Sequence, residues 1–175
     1  MSAFDDVLAA NDEYAKTFPW KGVPAPAARG LAVLSCMDSR IDPMRLLGLT
    51  VGDFKMLRNA GGRLTTDMRH DLALASHLLG IRRVLLMPHT KCAMASTTDA
   101  QISEVVLRDS GVHTAGRSWG TTSDQIGRLK TDVARLAGDA SLKPGTVVAG
   151  ALYDVDTGLV SIVVPEVVSG GSAGR

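Results

Sequence analysis

Aromatic residues make up only 4% of this chain, cysteine occurs twice, and neither sign of charge dominates. The shortage of aromatics argues against a base-stacking surface for nucleic acid. A net charge of +1 gives no long-range attraction to nucleic acid or to an anionic membrane. No apolar run approaches the roughly 20 residues that span a bilayer, so no membrane segment is expected. The N-terminal residues include Asp5 and Asp6 and lack a basic start, unlike a secretory signal. Two cysteines do not make a disulfide framework. A reducing, cytoplasmic location is therefore expected, with the thiols free to hold metal. A single Cys36–Cys92 disulfide is the alternative.

What is present is an ordinary globular composition, 45% hydrophobic and 21% charged over 175 residues, enough for one domain with its own core. The first stretch reads as a helix, with Phe4, Val7, Leu8, Tyr14 and Ala15 on one broad face and Ser2 as its cap. Residues 21–30 carry Pro24 and Pro26 and read as a linker. If the helix lies outside the core, its apolar face needs a partner, and a second subunit is one solution.

Two apolar runs, Leu31-Ala32-Val33-Leu34-Ser35 and Arg83-Val84-Leu85-Leu86-Met87, fit strands buried on both faces. Further strands are expected at 54–57, 146–152 and 159–164, with Asp156-Thr157-Gly158 as a hairpin turn between the last two. Helices are expected at 66–79, closed by Gly80, and at 123–137, where Ile126, Leu129, Val133 and Leu136 form the apolar stripe. Ile102, Val105, Val106 and Leu107 suggest another helix, and the Gly/Ser/Thr-rich stretch 111–122 a loop. The alternation predicts an α/β fold: about four parallel strands plus one antiparallel edge strand, flanked by helices. Three regions follow: the helix and linker at 1–29, packing on a partner subunit; a zinc-binding α/β domain at 30–168; and a flexible tail at 169–175.

In such a sheet, ligands gather at the C-terminal ends of the strands, where Cys36 and His89 both fall. Cys36, His89 and Cys92 offer zinc three soft or borderline donors, and three protein ligands with one exchangeable position mark a catalytic site. Two thiolates offset the metal's charge, so bound water loses its proton less readily than at a site of neutral imidazoles, yielding zinc-bound hydroxide at mildly alkaline pH. Asp38 has two mutually exclusive uses. It closes the site as a fourth ligand, or it pairs with Arg40 and leaves the position open. A lowered pKa would keep it an acceptor that orients the nucleophile.

Cys36-x-Asp38-x-Arg40 followed by His89-x-x-Cys92 resembles the β-class carbonic anhydrases, most closely the compact bacterial and mycobacterial-type members. Arg58-Asn59-Ala60-Gly61 and Tyr153-Asp154-Val155-Asp156-Thr157-Gly158 also look like that family. The resemblance implies a parallel sheet with N-terminal helices embracing a neighbour, in a homodimer or homotetramer. It implies one Zn2+ per subunit on Cys36, His89 and Cys92, and a catalytic dyad of Asp38 and Arg40. The implied reaction is reversible hydration of carbon dioxide to bicarbonate and a proton. Hydrolysis of carbonyl sulfide or carbon disulfide at the same zinc, and a non-catalytic structural zinc protein, are the alternatives. Two departures stand out. Ala93 replaces the glycine usual after the second cysteine, which either fits or narrows the pocket. Lys91 sits where small polar or acidic residues are common, and its ammonium either meets bicarbonate or, as expected here, points to solvent.

Other residues read more plainly. Arg58 and Asn59 suit a scaffold role. Gly61-Gly62 alone is a weak phosphate motif. His70 and His77 share a helix but lack a third ligand, His113 lies in a loop, and Trp20 and Trp119 read as packing residues.

Overall fold

The computed structural model describes residues 2–170. Helix α1 spans Asp5–Lys16 and none of its residues is buried. Ser2 does not cap it: the boundary residue is Phe4, with no side-chain cap bond, and the Ser2 hydroxyl accepts from the Phe4 N–H instead. Asp5 accepts the Ser2 N–H, and with Asp6 it places negative charge in the helix's first turn.

Five strands form one sheet: β1 (Leu31–Cys36), β2 (Phe54–Asn59), β3 (Arg83–Met87), β4 (Val147–Tyr153) and β5 (Val160–Val168), in the order β2-β1-β3-β4-β5. The first four are parallel, and β5 runs antiparallel along one edge, as the pattern of apolar runs predicts. β2 extends two residues beyond expectation because Arg58 and Asn59 pair with Ser35 and Cys36. β5 continues past Pro165. The proline falls at an irregularity between the Gly150–Val164 and Val148–Val167 pairs of an edge strand, where a missing N–H removes no ladder bond.

Helices α3 (Thr66–Leu78) and α6 (Gln125–Ala137) cover one sheet face. Their Leu72, Ala75, Leu129, Val133 and Leu136 close over Ala32, Leu34, Val84, Leu86 and Val148. Thr65 caps α3 and Asp124 caps α6 through side-chain bonds to backbone N–H groups. Two four-residue helices, α2 (Pro43–Leu46) and α4 (Ala93–Ser96), and the exposed α5 (Asp99–Ser110) lie between strands. Beneath the sheet's other face, Val33, Cys36, Met87, Cys92, Ala151 and Tyr153 form a second core, which holds the site. Ser169, expected to open a flexible tail, joins the folded body instead: it is buried, its hydroxyl donates to Lys143 O, and its backbone pairs with Thr146. Residues 171–175 of the expected tail lie outside the described residues. Among the described residues, no helix is long and apolar enough to cross a membrane.

Candidate metal centre

β1 and β3 are neighbours in the sheet, so residues far apart in sequence emerge side by side. Cys36 is the last residue of β1. His89 follows β3 and is bridged to Tyr153 at the end of β4, with Thr90 N–H donating to Tyr153 O. Cys92 is the residue from which α4 begins. All three are buried, and their donor atoms lie within 4.8 Å of one another.

The two sulfurs are 4.0 Å apart, too far for a disulfide, and both thiols are free. A tetrahedral zinc about 2.3 Å from each sulfur places them ~3.8 Å apart, close to what is seen. His89 Nδ1 lies 2.8 Å from Thr90 O, and donating there leaves Nε2 as the unprotonated nitrogen. That Nε2 is buried with no hydrogen-bond partner. An orphaned imidazole nitrogen beside two thiols is a donor set that fits a metal ion. Without one, the thiols shift each other: the bond from Cys92 and the N–H of Gly61 lower the Cys36 pKa, while the bond to Cys36 and burial raise that of Cys92.

Asp38 and Arg40 sit beside the cluster, paired with each other. Arg40 Nε donates to Oδ1 at 2.9 Å and Nη2 to Oδ2 at 2.7 Å, a two-point pair, and the Arg40 backbone N–H adds a third bond. These bonds hold the Asp38 carboxyl well below the usual carboxylate range. Its Oδ2 is 3.7 Å from His89 Nε2, near the metal donors but engaged by arginine. Arg40 Nη2 also donates to Lys91 O at 3.2 Å, joining the two motif segments.

The backbone around the cluster is fixed by side chains from β2. Arg58 donates from Nε to Cys36 O at 2.8 Å and from Nη2 to Asp38 O, which supports its scaffold reading. Gly61 donates its N–H to Cys36 Sγ at 3.3 Å. Gly62 has φ +62°, and an added Cβ would lie 2.9 Å from Cys36 N and 3.0 Å from Ser35 C. Gly62→Ala should therefore destabilise the protein by about 1–3 kcal/mol, read as a lower midpoint in a denaturant titration. Gln125, unremarked in the sequence, donates to His89 O at 3.1 Å.

The two departures from the family pattern have local explanations. Ala93 opens α4, a helical position that needs no glycine, and its side chain is exposed. Lys91 has φ +54°, the only positive φ among described non-glycine residues, and its side chain points to solvent as expected, where its Nζ meets the exposed Asp156 at 2.6 Å. The remaining histidines stay outside the cluster; His70 and His77 are exposed on α3, and His113 is exposed in the loop after α5.

A family model described as carbonic anhydrase matches residues 31–119. The chain is 33% identical to beta-carbonic anhydrase 1 of Mycobacterium tuberculosis over 168 residues, covering 94% of this chain and all of that protein. It belongs to the carbonic anhydrase family. A carbonic anhydrase structure from Streptococcus mutans superposes with a TM-score of 0.86 at 33% identity, covering 93% of this chain and 98% of that one. A carbon disulfide hydrolase of Saccharolobus solfataricus is 34% identical over 92 residues, 53% of this chain and 44% of that protein. The protein is thus an enzyme of the β-carbonic anhydrase type with a possible Cys-His-Cys metal site.

Proposed function

We propose that this carbonic anhydrase binds one zinc ion per subunit on Cys36, His89 and Cys92 and hydrates carbon dioxide reversibly to bicarbonate and a proton. The observation that carries the reading is the buried, unpartnered His89 Nε2 facing two free thiols, with the Asp38–Arg40 pair alongside. Zinc, when bound, supplies Lewis acidity that makes water a nucleophile at mildly alkaline pH. Arg40 keeps Asp38 ionised and turned from the metal donors. Asp38 then accepts the nucleophile's hydrogen bond and orients it.

Because Arg40 holds Asp38 ionised far into acid, protonation of Asp38 is not what lowers activity just below neutral pH. Stopped-flow hydration should show kcat/KM rising from neutral to mildly alkaline pH, as deprotonation of the nucleophile sets the rate. A flat profile, or no turnover by metal-replete protein, would refute the assignment. The carbon disulfide hydrolase relative favours a second reading, hydrolysis of carbon disulfide or carbonyl sulfide at the same residues. Release of hydrogen sulfide from those substrates, without carbon dioxide hydration, would select it.

Residues 1–29 we assign as an arm that packs on a second subunit, and 30–168 as the zinc-binding domain. Phe4, Val7 and Leu8 of the arm are exposed at 65%, 56% and 59%. Across the sheet's second face, Leu31, Leu47, Leu85, Ala149 and Ile162 line an open groove. Covering both in a homodimer removes this apolar surface from water. Sedimentation should find a dimer or tetramer, and a Phe4→Asp, Leu8→Asp variant should shift it towards monomer; a monomeric parent protein would overturn the assignment. A cytoplasmic location fits the free thiols.

A further inference from the structure

We propose that Asp132, a carboxylate in the middle of α6, is a positioning residue for the metal centre: it pins the 59–64 loop so that Gly61 gives its N–H to the Cys36 sulfur. Asp132 is 4% exposed and lies on the packed face of α6 with Leu129, Val133 and Leu136. Burying a carboxylate there is costly, and burial pushes its pKa up. Oδ2 accepts the Leu64 N–H at 3.1 Å. Arg135 Nη1 is 3.8 Å from Oδ1, beyond hydrogen-bond reach. The carboxylate's hydrogen bond is therefore to the loop backbone.

The same loop is held from its other end. Asn59 Oδ1 accepts the Arg63 N–H and Nδ2 donates to Arg63 O, both at 2.8 Å, and Arg63 Nε donates to Ala60 O at 2.9 Å. Between these anchors Gly61, at φ +82°, turns its N–H onto Cys36 Sγ. An N–H bond to a thiolate draws electron density from it, so the sulfur donates less to a metal and the metal stays a stronger Lewis acid. In a site with two thiolates this offsets part of their charge. The inference rests on the metal reading in taking Cys36 as a ligand.

The test uses the full-length protein loaded with cobalt(II), whose thiolate-to-metal charge-transfer band reports the electron density on sulfur. Asp132→Ala should move the band to longer wavelength and speed amide hydrogen exchange at Gly61 and Leu64 by roughly tenfold or more. Asp132→Asn keeps an acceptor and should restore both readouts. Val133→Ala, an adjacent buried truncation, should lower stability without moving the band. If Asp132→Ala does not fold, Asn59→Ala, which cuts the other anchor, should give the same shift. Wild-type band position and exchange in Asp132→Ala or Asn59→Ala would overturn the inference, as would an equal band shift in Val133→Ala. Failure of the parent protein to bind cobalt would overturn the metal reading instead, and Gly61 exchange in metal-free protein would still decide whether Asp132 holds the loop.

Discussion

Asp38→Asn should lower kcat/KM for carbon dioxide hydration by about 10²–10⁴-fold while leaving the metal content unchanged. The substitution keeps the side chain's size but replaces one acceptor oxygen with a donor. Arg40 offers N–H groups to both Asp38 oxygens, so the amide can satisfy only one of them. The charge that holds the pair together is lost as well, and with it the acceptor that orients the nucleophile. The metal should remain because the cluster is Cys36, His89 and Cys92, without Asp38. The measurement is stopped-flow turnover beside metal analysis of the same preparation. Normal turnover with full metal would exclude the Asp38–Arg40 dyad. Loss of metal together with activity would place Asp38 among the ligands.

Cys92→Ala should have the opposite signature, with activity lost because metal is lost. Three donors leave no redundancy, so removing one should weaken affinity by more than the roughly 10–100-fold seen when only an outer hydrogen-bond partner is removed. Stability gives an independent readout. A metal that binds only the folded chain raises its melting temperature by mass action. Chelation should lower the melting temperature of the parent protein and leave that of Cys92→Ala unchanged. Equal metal content in the two proteins after dialysis against a chelator would exclude Cys92 as a ligand.

The strands that position these residues were legible because parallel strands buried on both faces must be continuously apolar. Leu31–Cys36 and Arg83–Met87 are such runs, each ending at or just before a metal-binding residue type. Helices α3 and α6 were legible from the spacing of their apolar residues. The four-residue helices α2 and α4 were not, because one turn contains no period to detect. The edge position of β5 was legible from the hairpin turn before it, but its end was not, because a proline usually breaks a ladder and here falls at an irregularity of the edge strand. Asp132 carries a weaker signal. It falls three residues after Leu129 and one before Val133, a charge inside the apolar stripe of α6. The chemistry of Asp38 and Arg40 was legible, but their pairing was not, since both uses of Asp38 suit the same spacing.

The strand order has a consequence for how this enzyme type diversifies. The candidate metal donors issue from the ends of adjacent strands and from the short turn between His89 and Cys92, backed by the second core. Segments 37–53, 60–65 and 93–124 join the strands without themselves being strands of the sheet. Insertions and substitutions in them can therefore reshape access to the centre while the ligands stay in register. On the proposed reading, the reactive group and the doorway to it are thus carried by different parts of the chain, and one can change without rebuilding the other.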